Sequence, residues 1–315
     1  MKRVQHPVPR TWRLSTGPGR LPSGVVPGAT DRVPAPLLVL TAIVSVQVGS
    51  SVAKQLFDEL GASGTTLLRL GLAAVLLLLV LRPSVRSWSR ASWTASLLLG
   101  GAMAGMNLTF YLSLQTVPLG VAVTVEFVGP LLLALAQTRR RVDLLWAGLA
   151  AGGVALLGLD TSGDLPVTGL LLAFVAGLFW AAYIVTSAKV GQVLPGTDGL
   201  AVALAFAALL VLPFGLDGAS AVLERPSLLV AALGVALLSS VISYGLELSA
   251  LRRIPTQVFG ILMSLEPAAA AVAGLLVLGE ELGAREVLAL LLVSLASGGI
   301  TLARRKHELP VQPLE

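Results

Sequence analysis

The stretch VPLGVAVTVEFVGPLLLALAQ, residues 117–137, decides the fold class. It is an apolar run of about 20 residues, the length that an α-helix needs to cross about 30 Å of hydrocarbon. Its only charged side chain is Glu126. In lipid, the backbone of such a run can satisfy its own hydrogen bonds only as a helix. The stretch therefore predicts a membrane-spanning helix with a carboxylate near its middle.

The rest of the chain repeats this pattern. Of the 315 residues, 55% are hydrophobic and 12% are charged, whereas a soluble domain has about 25% charged residues. Turn signals or charges separate the apolar blocks from one another. We predict an all-α integral membrane protein with ten transmembrane helices, at residues 36–57, 62–81, 93–114, 117–137, 142–160, 166–189, 196–214, 228–250, 254–278 and 284–303.

The positions of Lys and Arg predict the orientation in the membrane. Short cytoplasmic loops are enriched in these residues, and most of the 22 basic residues lie in the N-terminal tail and in alternate loops. Both termini are then cytoplasmic, which requires an even number of crossings and agrees with ten. The net charge of +5 is thus explained by topology, and we expect no nucleic-acid partner.

Two parts of the chain resemble each other. In both, two prolines twelve residues apart bracket a membrane segment that contains a carboxylate. These residues are Pro118, Glu126 and Pro130 in the first copy and Pro255, Glu266 and Pro267 in the second. Five crossings is an odd number, so the second copy is inverted relative to the first. Inverted repeats are an architecture of secondary transporters, with the binding site near the bilayer midplane.

The predicted organisation has four parts. Residues 1–35 are rich in Pro, Gly and Arg, a composition that predicts a disordered basic cytoplasmic tail. Two five-helix repeats follow, at 36–160 and 166–303. Residues 304–315 form a second cytoplasmic tail.

The two intramembrane acids are the first candidates for a functional site, because a charge at the bilayer centre costs at least about 2.5–3.5 kcal/mol. Pro130 follows Glu126 by four residues, and its ring disrupts the hydrogen bond to the carbonyl of residue 126. Gly129 lets another helix or a ligand come close to this kink. Glu266 beside Pro267 takes the equivalent place in the second copy. Such carboxyls can couple transport to protons; the structural alternative is a neutral acid hydrogen-bonded between helices.

Further polar side chains lie in the membrane segments, and each has a structural alternative. Arg69 is suited to a substrate carboxylate or a buried Glu, but it can also snorkel to the membrane surface, as can Lys54. Glu247 can form a salt bridge with Arg252 or Arg253, and the aromatic residues can be interfacial anchors. The additional substrate or proton-coupling candidates are Gln47, Arg69, Asn107, Tyr111, Tyr183, Tyr244 and Glu247.

Enzyme chemistry has no support in the sequence. There is no cysteine, and the only histidines, His6 and His307, lie in the tails. No nucleotide-binding, nucleophile-elbow or zinc-protease motif occurs. We therefore expect no enzyme activity, no metal and no cofactor, and we expect a solute gradient to supply the energy for transport.

Four motifs resemble a known family: NLTFY at 107–111, PLGVAVTVEF at 118–127, VFG at 258–260 and MSLEP at 263–267. Over roughly residues 36–303 the chain resembles the EamA-type transporters of the drug/metabolite transporter superfamily, most closely the threonine/homoserine exporter branch. The resemblance implies a multi-pass protein of the bacterial inner (plasma) membrane that exports small amino acids in exchange for protons.

Two alternatives stay open at this point. One is an exporter of another small metabolite or of a drug cation, and the other is a membrane scaffold or receptor that transports nothing. A homodimer is also left open by the sequence.

Overall fold

The computed structural model describes residues 33–136, 141–158, 165–194, 197–251, 253–254 and 256–308. Most of the predicted N-terminal tail, residues 1–32, and the chain end, residues 309–315, lie outside these ranges. Within them the chain forms thirteen α-helices. They are α1 (Ala35–Gln55), α2 (Phe57–Leu81), α3 (Arg90–Ser113), α4 (Leu119–Glu126), α5 (Val128–Ala136), α6 (Arg141–Gly158), α7 (Val167–Val193), α8 (Asp198–Ser220), α9 (Pro226–Ala236), α10 (Ser243–Leu251), α11 (Thr256–Met263), α12 (Glu266–Ala273) and α13 (Ala284–Glu308).

Eight helical stretches are long and apolar enough to cross a membrane. They are Ala35–Gln55, Phe57–Leu81, Arg90–Ser113, Leu119–Ala136, Val167–Val193, Asp198–Leu223, Pro226–Glu247 and Val258–Leu278. A shorter apolar stretch, Leu144–Leu157, lies within α6. The all-α integral membrane class predicted from the sequence fits these helices.

Three predicted helices are interrupted in the structure. The block at 117–137 forms two helices, because Pro130 cannot donate to the carbonyl of Glu126 and the regular pattern stops at Phe127. The block at 228–250 contains a π-helical segment, Leu237–Ile242, between α9 and α10. The block at 254–278 breaks between α11 and α12 and ends in a second π-helical segment, Gly274–Leu278. Such interruptions are frequent at functional sites.

Helices from the two parts of the chain pack in pairs. α2 lies along α8, α4 against α12, α6 along α13, α1 against α10 and α3 along α7. Small residues permit these close approaches. A Cβ atom added at Gly64 of α2, for example, would lie 2.8 Å from the backbone nitrogen of Ala219 in α8.

The two ends of the bundle differ in charge. One end contains Asp58, Glu59, Glu280 and Glu281, and we call it the acidic end. The other end contains Arg82, Arg86, Arg90 and Arg253, and we call it the basic end. At the acidic end, buried apolar residues of α1, α2, α3, α4, α6, α7, α9, α12 and α13 form one continuous cluster. Three further clusters lie between α2, α3, α7, α8 and α9, between α1 and α10, and between α5, α6 and α13.

Candidate functional site

A cavity of about 530 Å³ lies among the helices. On α7 and α13 the lining comes from the halves nearer the basic end. The short helices α5, α10 and α11, which also line the cavity, are the parts of their spans on the basic-end side of the helix breaks. The cavity therefore extends from the middle of the bundle toward that end. Most of the candidate residues predicted from the sequence line this one cavity: Gln47, Arg69, Asn107, Glu126, Tyr183, Tyr244, Glu247 and Glu266. Tyr111 does not line the cavity but lies behind Arg69, to which it is hydrogen-bonded.

The two carboxylates predicted at the helix breaks both face the cavity. Glu126 ends α4 and Glu266 begins α12, and their side chains are buried, with 8% and 7% exposure. Gln47 Nε2 of α1 donates to Glu266 Oε1 at 3.4 Å. Glu266 Oε2 and Gln47 Oε1 have no hydrogen-bond partner among the described residues. Buried acceptors without partners are rare, so these atoms are available to a ligand or a proton.

Arg69 is buried in the wall of the cavity and does not snorkel. Its Nε donates to Ser240 Oγ at 3.1 Å, its Nη1 to the Tyr111 hydroxyl at 3.0 Å and its Nη2 to the Ser239 carbonyl at 2.9 Å. The guanidinium carbon also lies 5.3 Å from the centroid of the Tyr111 ring. These contacts fix the cation between α2, α3 and the π-helical segment that precedes α10.

Aromatic side chains form another wall of the cavity. The rings of Tyr183 on α7 and Tyr244 on α10 stack with centroids 6.2 Å apart. Trp180 of α7 meets Phe127 edge to face at 5.1 Å. The structure thus joins the predicted tyrosines of two distant chain segments in one surface.

The predicted kink residues lie beside the carboxylates. Pro130 lines the cavity, and Pro267 is buried directly after Glu266. Gly129 of α5 contacts Gly177 of α7 backbone to backbone, and Gly177 also lies against the carbonyl of Glu126. A helix approaches the kink through these two glycines, as the small residue at 129 predicted.

Three serines in or next to the Leu237–Ile242 segment were missed from the sequence: Ser239 and Ser243, which line the cavity, and Ser240, which accepts a hydrogen bond from Arg69. A signal was present, because Ser240, Ser243 and Glu247 recur at helical spacing and form a polar stripe in an apolar helix. Serine occurs in many membrane helices, so this stripe did not stand out beside the charged residues.

The side chain of Lys54 forms its contacts at the acidic end of the bundle, whereas the cavity extends toward the basic end. Its Nζ lies 2.6 Å from Glu280 Oε1 and donates to the Val117 carbonyl at 3.0 Å. Glu280 Oε2 accepts the backbone N–H of Leu119 at 2.7 Å. We call Lys54, Val117, Leu119 and Glu280 the acidic-end cluster. A carboxylate and a carbonyl thus hold the ammonium group of Lys54 at this end of the bundle.

Comparisons with known proteins agree with this architecture. Residues 167–302 match the EamA-like transporter family. Threonine/homoserine exporter RhtA of Salmonella typhimurium strain LT2 is 43% identical over 90% of this chain and 97% of that protein. The protein of the same name from Escherichia coli strain K12 is 42% identical over the same shares.

A solved crystal structure, 22% identical, covers 87% of this chain and 98% of its own with a TM-score of 0.55, a likeness that shows the fold alone. The family match and the identity to full-length relatives show a transport protein rather than an enzyme. The chain belongs to the EamA-like transporter family.

Proposed function

We propose that this protein exports small amino acids such as threonine and homoserine across the bacterial inner membrane in exchange for protons. The observation on which this rests is the cavity, where two buried carboxylates and a buried guanidinium line one space. An amino acid has both a cationic ammonium group and an anionic carboxylate, so it complements both kinds of wall. The names of the relatives, which are threonine/homoserine exporters, support the same substrate class.

The coupling mechanism follows from the two acids. A carboxylate that holds a proton cannot also bind an ammonium group as an ion pair, so proton and substrate compete for Glu126 and Glu266. Release of the proton makes the site anionic and favours substrate, and uptake of the proton expels it. Exchange of this kind needs no nucleotide and no cofactor.

For the fold we propose ten crossings arranged as two inverted five-helix repeats, 36–160 and 166–303. The helix pairing supports this arrangement. If α1, α2, α3, α4 and α6 correspond to α7, α8, α10, α12 and α13, then α2–α8, α4–α12 and α6–α13 are pairs of equivalent helices. Under the same correspondence α1 maps onto α7 and α10 maps onto α3. A two-fold axis would therefore exchange the α1–α10 pair with the α3–α7 pair.

We further propose that the basic end faces the cytoplasm, with both termini on that side. This follows from the enrichment of Lys and Arg in cytoplasmic loops. The cavity then extends toward the cytoplasm, where an exporter loads its substrate.

The proposal is tested by efflux of labelled threonine from cells that express the protein, with Glu126→Gln and Glu266→Gln as the variants. Each substitution keeps the shape of the side chain and removes its titratable proton. We expect threonine efflux to fall to the level of cells without the transporter. Glu281→Gln, which removes an exposed carboxylate outside the cavity, is the matched control and should leave efflux unchanged. Unchanged efflux at every external pH in both cavity variants would contradict the coupling role.

A further inference from the structure

We propose that the hydroxyl groups of Ser239 and Ser243, together with Arg69, bind the carboxylate of the transported amino acid. This inference rests on the proposed function and extends it, because it names the two residues that complete the anionic subsite. All three residues line the cavity.

Four helical serines of the described chain, Ser96, Ser239, Ser243 and Ser294, have a buried hydroxyl without a hydrogen-bond partner, and Ser239 and Ser243 are the two that line the cavity. Helical Ser and Thr hydroxyls commonly donate to the carbonyl four residues earlier, as Thr65 does to Gly61 at 2.8 Å and Thr124 to Gly120 at 2.6 Å. Ser239 and Ser243 are 0% and 1% exposed. Neither hydroxyl has a hydrogen-bond partner in the part of the chain that the structure describes. Two residues that line the cavity therefore carry buried hydroxyls without a partner within the described chain, with Ser239 Oγ packed beside Gly49 of α1.

The contacts of the π-helical segment explain why the Ser243 hydroxyl is unpaired. The carbonyl that Ser243 would ordinarily use is that of Ser239, and Arg69 Nη2 already donates to it at 2.9 Å. The neighbouring carbonyl of Leu238 accepts the Ser45 hydroxyl of α1 at 2.7 Å. Side chains from α1 and α2 thus occupy two carbonyls of this segment, one of which is the ordinary acceptor of Ser243.

The charge beside the serines selects an anion. Arg69 is 4% exposed, and no carboxylate among the described residues forms an ion pair with it. Glu126 is near enough to interact electrostatically with this cation but does not contact it at ion-pair distance, and a buried cation without a paired anion is unfavourable. Three of the five N–H donors of the guanidinium bind Ser240, Tyr111 and Ser239, which leaves two. Two guanidinium donors and two hydroxyl donors match the lone pairs of one carboxylate.

Hydrogen-bond acceptors, rather than donors, lie on the part of the cavity wall formed by α1 and α12. Glu266 Oε2 and Gln47 Oε1 are acceptors without a partner in the described residues, and an ammonium group supplies donors only. Bound amino acid is therefore oriented, with its ammonium group toward Glu266 and its carboxylate toward Arg69 and the serines.

The test is counterflow of labelled threonine in proteoliposomes, comparing the wild type with Ser239→Ala, Ser243→Ala and the double variant. Three unlabelled competitors are used: threonine, threoninol, which lacks the carboxylate, and 2-aminobutyrate, which lacks the side-chain hydroxyl. Ser96→Ala is the matched control, because Ser96 is also 0% exposed and has no hydroxyl partner in the described chain, but it does not line the cavity.

We expect each cavity serine variant to weaken threonine binding about tenfold, since a hydrogen bond to a charged group is lost. The preference for threonine over threoninol should shrink by the same factor. The preference for threonine over 2-aminobutyrate should stay as in the wild type, and Ser96→Ala should change neither.

Two results would overturn the inference. Loss of the preference over 2-aminobutyrate would mean that the serines bind the side-chain hydroxyl, and unchanged binding in both single variants would mean that they bind no part of the substrate. Absence of threonine counterflow in the wild type is a different outcome, because it contradicts the proposed function itself.

Discussion

The acidic and basic ends of this bundle are packed in different ways. At the acidic end one continuous apolar cluster joins nine helices. The acidic-end cluster of Lys54, Val117, Leu119 and Glu280 links α1, the α3–α4 turn and the chain after the second π-helical segment. Toward the basic end three separate apolar clusters surround a cavity.

For the proposed transport cycle, this difference predicts which contacts must change. A transporter that alternates between two sides must close the side that is open and open the side that is closed. Here the acidic end is the closed side, so the acidic-end cluster has to separate before substrate can leave there.

The largest effect is expected from fixing the acidic end shut. The chain has no native cysteine, so Lys54→Cys with Glu280→Cys introduces the only two thiols. A bifunctional thiol reagent with a reducible linker should abolish threonine counterflow, and reduction should restore it. Each single-cysteine variant with the same treatment is the control. Full counterflow in the cross-linked protein would show that this end does not open.

The next largest effect is expected at the contact between Gly129 and Gly177, which packs α5 against α7 beside the cavity. A Cβ at Gly129 would collide with the backbone of Gly177, and a backbone cannot move aside as a side chain can. We expect Gly129→Val to destabilise the fold by about 1–3 kcal/mol or more, measured as a lower thermal midpoint in detergent. Gly152→Val is the control, because a Cβ there meets nothing within 4 Å. Equal midpoints for the two variants would refute the close packing.

A smaller effect is expected when the acidic-end cluster is weakened by a substitution instead of being closed by a cross-link. Lys54→Gln removes an ion pair whose side chains are only 23% and 14% exposed, and the loss should destabilise the closed end by about 1.5–3 kcal/mol. A reporter thiol at Ser50, a buried residue of the cavity wall, should then react about tenfold faster or more with an impermeant maleimide added from the acidic-end side. An unchanged rate would mean that other contacts hold this end closed.

The smallest effect is expected at the second ion pair of the acidic end, between Arg225 and Glu59. Their side chains are 61% and 45% exposed, and such surface pairs contribute less than about 1 kcal/mol. Arg225→Gln should therefore leave the rate of Ser50→Cys labelling within about twofold of the parent. A change as large as that of Lys54→Gln would place the closing interaction at the surface instead.

The charged members of the site could be predicted from the sequence, because each stands out against an apolar segment. Glu126, Glu266 and Arg69 each cost free energy in a bilayer, and the structure brings all three to one cavity. The break after Glu126 was also predictable, since Pro130 has a local steric consequence.

Other features depend on contacts that no local pattern records. Lys54 and Glu280 are 226 residues apart, and only the packing of α1 against the chain after α12 joins them. The π-helical segment LLSSVI at 237–242 contains neither Pro nor Gly, so its interruption of the helix had no local signal. The roles of Ser239 and Ser243 depend on that segment and on Arg69, and for this reason they emerged only from the structure.

The central claim is that one cavity binds amino acid and proton in exchange. The most direct test is proton movement in proteoliposomes that contain a pH-sensitive dye and no imposed pH gradient. An outward threonine gradient should drive protons inward through the wild type, and neither threonine nor protons should move through the Glu126→Gln, Glu266→Gln double variant. Threonine flux with no accompanying proton movement in the wild type would contradict the claim.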